Sequence, residues 1–210
     1  MILFELCDGN ENHPLYEKLA VENGYRHYSF VQSLVTTSLS ANQPYISQQI
    51  IKALNYHAIS CLHSHAGEYR PCAVDVDGFR PPAFYRVPTL MDEFVNSVNR
   101  HWDRNDALVL AAFVLWKMNY IHPFVNGNGR TARALSYYVL CVKVGGLINT
   151  TPLLPEIIRQ NRSELVGILK RIDASLLTGQ LDIEPMRSFI ERLLVESVPE
   201  VAEALKGDAP

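Results

Sequence analysis

Residues 107–133, with the sequence ALVLAAFVLWKMNYIHPFVNGNGRTAR, decide the fold of this chain. The first part is apolar on nearly every side of a helix, which is typical of a helix buried at the centre of a domain. Asp106 stands directly before it and is a good N-cap, since its carboxylate can accept amide N–H groups of the first turn. At the other end, Pro123 disfavours helical backbone at His122. The sequence therefore predicts a central helix that ends near Tyr120, with His122 just after its C-terminal end.

A glycine-rich turn follows this helix. Gly127, Asn128 and Gly129 tolerate backbone angles that most residues avoid, and they directly precede a second helix predicted from about Arg130 to Val144. Successive amide N–H groups in such a turn can surround an anion, and the dipole of the following helix adds to the attraction. The turn is therefore a candidate phosphate-binding site.

Two arginines support this interpretation. Arg130 and Arg133 lie three residues apart, on one face of the first turn of the second helix. Positive charges there oppose the helix dipole by a few tenths to about 1 kcal/mol each, so a purely structural helix would favour acidic residues. A bound polyphosphate would offset this cost, because the arginine fork matches pairs of phosphate oxygens. The alternative is that the loop is an ordinary surface turn and that His122 is a structural histidine.

The rest of the chain predicts an all-α fold with one short β-hairpin near residues 72–82. Asp77-Gly78 is a strong two-residue hairpin turn, and Pro81-Pro82 would end the second strand. The whole 210-residue chain is predicted to form a single domain. The further helices are predicted at 13–23 and 26–40, with a break around Gly24, and at 46–63, 87–102, 153–175 and 183–205.

The composition is that of an ordinary globular protein. Hydrophobic residues make up 48% of the chain and the formal net charge is −3, which gives no basic surface for nucleic acid. The longest apolar run, 107–116, is too short to span a bilayer, and the N-terminus lacks the features of a signal peptide. Four scattered cysteines form no Cys-x-x-Cys pair. We therefore predict a cytoplasmic protein that binds neither nucleic acid nor a membrane.

The stretch HPFVNGNGRTAR at 122–133 resembles the signature of the Fic family, whose pattern is HPF-x-(D/E)-GNGR-x-x-R. Gly67-Glu-Tyr-Arg70 is similar to the G-x-Y-R segment of that family, and Asn161-Arg162 also fits. The resemblance implies a Fic-like helical bundle in which the hairpin is a flap over the site. The limits that follow are about 30–175 for the Fic-like core, 13–42 for N-terminal helices and about 176–205 for C-terminal helices.

The resemblance implies a protein adenylyltransferase, which moves AMP from ATP to a Ser, Thr or Tyr hydroxyl of a target protein (AMPylation). His122 would be the general base that takes the hydroxyl proton, a role that suits an imidazole at neutral pH. The flap would place the target segment across the site by strand addition. The residues implied in ATP binding are Phe124 as the hydrophobic anchor of the loop, Gly127, Asn128 and Gly129 around the phosphates, with Asn128 at the α-phosphate, and Arg130 and Arg133 at the β- and γ-phosphates.

Asn126 departs from the family pattern, which has Asp or Glu there to bind Mg²⁺. An amide oxygen can still ligate a hard cation, but it brings no negative charge, and Mg²⁺ favours carboxylates. Three activities therefore stay open: AMP transfer with weakened metal binding, a catalytically silent nucleotide-binding module, and a variant phosphotransferase that moves a different piece of the nucleotide. Intact His122 favours the first and Asn126 favours the second. The sequence allows a homo-oligomer but indicates no interface.

A second departure concerns autoinhibition. Many Fic proteins carry a helix with the pattern (S/T)-x-x-x-E-(G/N), whose glutamate pairs with the second arginine of the signature. The segment Thr37-Ser-Leu-Ser-Ala41-Asn42 resembles this helix with Ala41 in place of the glutamate. On that alignment the inhibitory carboxylate is missing and Arg133 is free. The alternative is a chance match in a helix end rich in serine and threonine.

Overall fold

A computed structural model describes residues 2–197 of the chain. Within this range the structure is helical, apart from loops and two isolated β-bridges, so the predicted all-α class is confirmed. None of the described helices has the length and apolarity that crossing a bilayer requires. The α-helices are Leu3–Leu6 (α1), Pro14–Ala41 (α2), Gln48–Ile59 (α3), Val87–Arg100 (α4), Ala107–Ile121 (α5), Asn128–Lys143 (α6), Leu154–Gln160 (α7), Arg162–Leu177 (α8) and Glu184–Ser197 (α9).

Helices α5 and α6 form the centre of the bundle. α5 packs along α6 and also meets α4, α8 and α9, while α6 meets α2, α3 and α7. Both helices are buried along most of their length, which explains why α5 is apolar nearly all round. Asp106 caps α5 as predicted, because its carboxylate accepts the Val109 N–H at 2.8 Å. The loop that joins α5 to α6 is therefore held at each end by a buried helix.

α2 runs without a break through Gly24, where we predicted an interruption. A glycine inside a helix costs about 1 kcal/mol relative to alanine, and packing outweighs that cost here. Asn23, His27, Val31 and Val35 lie four residues apart on one face of α2, and all four are buried in the bundle. The tertiary contacts of this face therefore decide the length of the helix.

Other helix limits also differ from the sequence predictions. The helix predicted over 153–175 is divided at Asn161 into α7 and α8. α3 begins after Ser47, whose hydroxyl accepts the Ile50 N–H at 3.1 Å, rather than near the proline upstream. The helix predicted over 183–205 is present as α9, and its residues after 197 lie outside the described range.

The hairpin near 72–82 is shorter than predicted. Its turn is present, with φ of 50° at Asp77 and 84° at Gly78. Val76 and Phe79 exchange both backbone hydrogen bonds at 2.9 Å, and no further ladder forms within this segment. The prolines that follow lack the N–H donors that a longer ladder needs. Residues 72–82, called the flap below, are therefore a loop with a tight tip.

Candidate functional site

The loop 122–127 leaves α5 through a residue in the left-handed conformation. His122 has φ 49° and ψ 60°, and its N–H still donates to the Met118 carbonyl at 3.0 Å, so the histidine is the C-cap of α5. Glycine is the usual residue there, because it has no Cβ. A histidine in this conformation must be fixed by its surroundings.

Arg70 fixes both the histidine and the flap. Its side chain is buried, and its Nε donates to the His122 carbonyl at 2.8 Å, while its backbone N–H donates to the Pro123 carbonyl at 2.8 Å. The other guanidinium nitrogens donate to carbonyls at the two ends of the flap, those of Cys72 and Pro82. One buried cation therefore sets the spacing between the loop and the flap.

Phe124 and Asn128 close the loop on itself. The Phe124 ring is fully buried and packs against Tyr69, with ring centroids 5.6 Å apart. The Asn128 side chain accepts the Phe124 N–H at 2.9 Å and donates to the Phe124 carbonyl at 2.8 Å. Both polar groups of this side chain are thus used within the loop. Its contact with the α-phosphate stays a prediction, for which the second N–H of Nδ2 is available.

Asn55, which sequence reasoning missed, joins three parts of the site. This α3 residue is fully buried, and its Nδ2 donates to the Asn126 carbonyl at 2.9 Å and to the Thr131 hydroxyl at 3.2 Å. Its Oδ1 accepts the Gly67 N–H at 2.9 Å. The loop, the first turn of α6 and the segment before Arg70 therefore share one amide. No local sequence signal marks an asparagine whose partners are this far away along the chain.

Gly127→Ala is expected to disrupt the loop. Gly127 has φ of +77°, and a Cβ there would lie 2.8 Å from Ile59 Cγ2 and 2.9 Å from Asn55 Nδ2. Left-handed backbone costs alanine about 1–2 kcal/mol, and the close contacts add a similar amount. We expect the free energy of unfolding to fall by about 2–4 kcal/mol in urea denaturation.

The flap tip provides the matched control for this prediction. Gly78 also has a positive φ, of +84°, but an added Cβ there would meet no atom within 4 Å. Gly78→Ala should therefore lower the free energy of unfolding only by the cost of placing alanine in left-handed backbone. Equal losses in the two variants would show that packing against α3 does not explain the glycine at 127.

The imidazole of His122 is oriented as a proton acceptor. Its Nδ1 lies 3.3 Å from the Asn119 carbonyl, and a carbonyl only accepts, so Nδ1 carries the proton. Nε2 then keeps a free lone pair. Burial lowers the pKa of His122 to about 4; the Asn119 carbonyl opposes this shift and the Arg70 guanidinium adds to it. The ring is therefore neutral at pH 7, the form that a general base requires.

A cavity beside the loop brings several predicted site residues together. It lies between the flap tip and α8, and His122, Gly129 and Arg133 line one part of it. Arg159 and Arg162 also line it, so three arginines border the same space. Lys170 adds a fourth cation and Asp77 and Asp173 add two carboxylates, so the lining keeps an excess of positive charge that favours an anionic ligand.

The two signature arginines have different surroundings. Arg133 lines the cavity, and burial lowers its pKa to about 10, which leaves it charged at neutral pH. A partly buried cation of this kind favours an anionic partner. Arg130 instead donates to the Ala58 carbonyl at 3.1 Å and to Asn126 Oδ1 at 3.0 Å. Contact of both arginines with phosphates stays a prediction, and Arg130 keeps three further N–H donors for it beside these two bonds.

The first turn of α6 presents free amide groups beside this cavity. Gly127 is the N-cap and has no side chain that could accept them. The N–H groups of Asn128, Gly129 and Arg130 therefore have no acceptor within the helix. A helix start of this kind attracts phosphate through its amides and its dipole.

The residues around Asn126 fit a metal ion only in part. Asn126 Oδ1 accepts Arg130, and no group of three or more His, Cys, Asp or Glu side chains within residues 2–197 could hold a metal. One carboxylate does lie beside it, since Glu11 Oε1 accepts the Asn126 Nδ2 at 3.1 Å. Mg²⁺ at nucleotide sites takes one or two carboxylates and completes its shell with phosphates and water. The donor set therefore fits a cation carried by nucleotide phosphates.

The predicted inhibitory segment does not lie beside Arg133. Its Ser38 hydroxyl hydrogen-bonds to the Tyr138 hydroxyl at 2.7 Å, more than one helical turn further along α6, and Ala41 is exposed. The α2 side chain that affects the pKa of Arg133 is Tyr28. The alignment of Ala41 with an inhibitory glutamate is thus not supported, because the unbroken α2 places this segment near the other end of α6.

His27, which is buried, and His122, which is partly buried, are expected to make the fold less stable in acid. Burial lowers the pKa of His27 to about 3 and that of His122 to about 4, from 6.5. Below pH 6.5 the unfolded chain therefore binds protons that the folded chain does not, and stability falls with pH until the folded pKa values are reached. We expect the free energy of unfolding to fall by roughly 2 kcal/mol from pH 7 to about pH 5.5.

Urea unfolding of two variants tests whether His27 causes this pH dependence of stability. His27 Nε2 is buried and has no hydrogen-bond partner among the described residues, so His27→Leu should reduce the pH dependence. His101→Gln, at an exposed position after α4, should leave it unchanged. If all three proteins show the same pH dependence, His27 does not contribute to it.

Comparison with known proteins identifies the class to which this fold and loop belong. Residues 45–140 match the sequence profile of the Fic/DOC family. This range includes Asn55, the flap, the loop and most of α6. Over these residues the chain is similar to the Fic/DOC family, and the family resemblance of the signature is confirmed.

Curated relatives agree with this assignment. The protein adenylyltransferase Fic of Drosophila persimilis is 33% identical over 126 residues, which are 59% of this chain and 22% of that protein. The Drosophila melanogaster protein of the same name is 34% identical over 126 residues, 59% of this chain and 23% of that protein. The chain thus spans less than a quarter of the length of these curated relatives.

Solved structures show the same fold. A Fic domain containing signaling protein from Bacteroides thetaiotaomicron has a TM-score of 0.67 at 21% identity, covering 90% of this chain and 74% of that one. A Fic family protein from Desulfovibrio desulfuricans has a TM-score of 0.67 at 18% identity, covering 95% and 57%. At these identities the likeness concerns the fold alone.

Proposed function

We propose that this protein is an adenylyltransferase that moves AMP from ATP to a Ser, Thr or Tyr hydroxyl of a target protein. The observation that supports this most is the shared cavity of His122, Gly129 and Arg133. It combines a neutral imidazole, the free start of a helix and a partly buried cation. The similarity to relatives that are named protein adenylyltransferase points to the same reaction.

The chemistry would use each of these groups. The target hydroxyl oxygen bonds to the α-phosphorus of ATP, the bond from that phosphorus to the bridging oxygen of the β-phosphate breaks, and pyrophosphate leaves. Nε2 of His122 takes the hydroxyl proton. The amides of the first turn of α6 stabilise charge on the phosphate oxygens, and Arg133 stabilises the departing pyrophosphate. Bound phosphates would also raise the pKa of His122 from about 4 and so strengthen the base.

Mg²⁺ would be held at Asn126, with most of its ligands from ATP and water. When bound, it would neutralise charge on the phosphates and so favour the loss of pyrophosphate. The chain's own part is to place one amide oxygen there, and Arg130 must release that oxygen first. This requirement gives Asn126 a weaker hold on the cation than a carboxylate would have.

The flap would present the target. Outside the Val76–Phe79 bridge its backbone groups form no ladder, so an extended peptide could pair with them. An ion pair of 3.2 Å joins Asp77 at the flap tip to Arg162 at the start of α8, across the cavity. Both side chains are exposed, so this pair is weak and can open when a target binds.

ATP labelled at the α- or the γ-phosphate separates this function from its alternatives. Label from the α position on protein supports AMP transfer, and label from the γ position alone would indicate a phosphotransferase. Binding of ATP without transfer would indicate a silent module, which the Asn126–Arg130 pairing favours. Asn126→Asp should raise transfer if weak metal binding limits it, and an unchanged rate would exclude that explanation.

We also propose a reducing, cytoplasmic setting. All four cysteines are free, and Cys61 and Cys72 are exposed, which suits a compartment that keeps thiols reduced. The proposed partners are ATP and a target protein, without nucleic acid or membrane. A homo-oligomer would be detected by sedimentation analysis.

A further inference from the structure

The loop between α1 and α2 brings a carboxylate to the loop 122–127. Glu11 lies between α1 and α2, and its Oε1 accepts the Asn126 Nδ2 at 3.1 Å. The same oxygen lies 3.7 Å from His63 Nε2, which hydrogen-bonds to the Tyr16 hydroxyl at 2.8 Å. Glu11 thus reaches the one position of the signature that lacks its usual acidic residue.

The segment that carries this carboxylate is anchored on both sides. Two backbone hydrogen bonds of 3.1 Å tie α1 to the carbonyls of Cys61 and Leu62. The Phe4 ring packs on His63 with centroids 4.8 Å apart, and Tyr16 at the start of α2 is buried. The carboxylate is therefore presented by a packed element.

Asn126 lies between this carboxylate and a guanidinium. Its Oδ1 accepts Arg130 Nη2 at 3.0 Å, and its Nδ2 donates to Glu11. A half-turn of the amide would bring its oxygen to the side of Glu11 and free Arg130 to meet phosphate. The two oxygens would then face each other at about 3.1 Å, where they repel unless a cation lies between them.

We propose that Glu11 supplies the acidic ligand of the nucleotide-bound divalent cation, in place of the carboxylate missing at Asn126. Adjacent ligands of octahedral Mg²⁺, each about 2.0–2.1 Å from the ion, are about 2.9 Å apart. The separation of Glu11 Oε1 from the Asn126 amide, 3.1 Å, is close to this value. Without nucleotide, Arg130 takes the amide oxygen in place of the cation. The inference rests on the proposed nucleotide binding, but not on AMP transfer.

The test measures binding of Mn²⁺ by electron paramagnetic resonance, with a methylene-bridged ATP that cannot release pyrophosphate. Wild-type protein is expected to bind Mn²⁺ with the nucleotide and not without it. Glu11→Gln should weaken Mn²⁺ binding to the nucleotide complex by at least about tenfold, because it removes the only charged protein ligand. Asn126→Asp in the Glu11→Gln background should restore it.

Glu17→Gln is the matched control. Glu17 is exposed in the first turn of α2, so this variant changes the same charge nearby without touching the loop, and Mn²⁺ binding should match wild type. The proposal is overturned if Glu11→Gln binds Mn²⁺ as wild type does. It is also overturned if this variant binds nucleotide more tightly and keeps its Mn²⁺, because the loop between α1 and α2 would then only cover the site. Absence of Mn²⁺ binding in the wild type overturns it as well. Metal binding without AMP transfer would contradict the proposed function and leave the role of Glu11 as a metal ligand in place.

Discussion

His122→Ala is expected to lower the rate of AMP transfer by about 10²–10⁴-fold, or to abolish it within detection, and to leave ATP binding within a few-fold of wild type. The reason is geometric. Nδ1 is committed to the Asn119 carbonyl at 3.3 Å, so only Nε2 can take the hydroxyl proton. The phosphate groups of ATP are expected to contact the first turn of α6 and Arg133, which the substitution leaves in place.

The measurement pairs transfer of α-labelled AMP with calorimetric titration of nucleotide. His101→Ala removes an exposed histidine after α4 and should change neither quantity. Transfer that persists at more than about a tenth of the wild-type rate in His122→Ala would assign the base to another group. Loss of nucleotide binding together with transfer would instead indicate that the histidine supports the loop.

The signature loop could be predicted because its signals are local. Pro123 disfavours helical backbone at the residue before it, and Gly127 has no Cβ to disfavour a positive φ, so both signals can be recognised in the local sequence. The turn at Asp77-Gly78 was predictable for the same reason. The ladder beyond that turn was not, since it depends on partners that the prolines do not provide.

Tertiary structure separates Arg130 from Arg133, which the sequence alone presents as equivalent cations that oppose the dipole of α6. In the structure Arg130 donates to the Ala58 carbonyl in the last turn of α3, where the dipole of that helix is negative. Its cost is therefore partly offset without a ligand. The unfavourable interaction of a cation with the α6 dipole therefore indicates a bound anion mainly at Arg133.

Asn55 and Arg70 show where sequence reasoning ends. Each acts through partners that are distant in sequence: Asn55 bonds to Asn126, and Arg70 bonds to His122. The family resemblance drew attention to Arg70 but gave no reason for it, and nothing drew attention to Asn55. Side chains that satisfy loop carbonyls leave no periodic pattern, because their positions depend on the packed bundle.

Arg70→Ala is expected to destabilise the protein more than Gly127→Ala does. The change leaves the carbonyls of His122, Cys72 and Pro82 without their donor, and the site is buried, with Arg70 only 3% exposed. A hydrogen bond to a charged group contributes about 1.5–3 kcal/mol, and the three are not independent. We therefore expect the free energy of unfolding to fall by about 3–5 kcal/mol in urea denaturation.

Two comparisons show whether the loss comes from the loop and the flap. Arg70→Lys keeps the charge but cannot reach three carbonyls that lie in different directions, so it should recover only part of the stability. Arg162→Ala removes an exposed arginine that contacts the flap tip, and it should cost less than about 1 kcal/mol. Hydrogen exchange in Arg70→Lys should increase in both 72–82 and 122–127, because one side chain holds the two segments. Faster exchange in the flap alone would mean that the left-handed His122 is held by the end of α5 and by Asn128, and that Arg70 positions only the surface that receives the target.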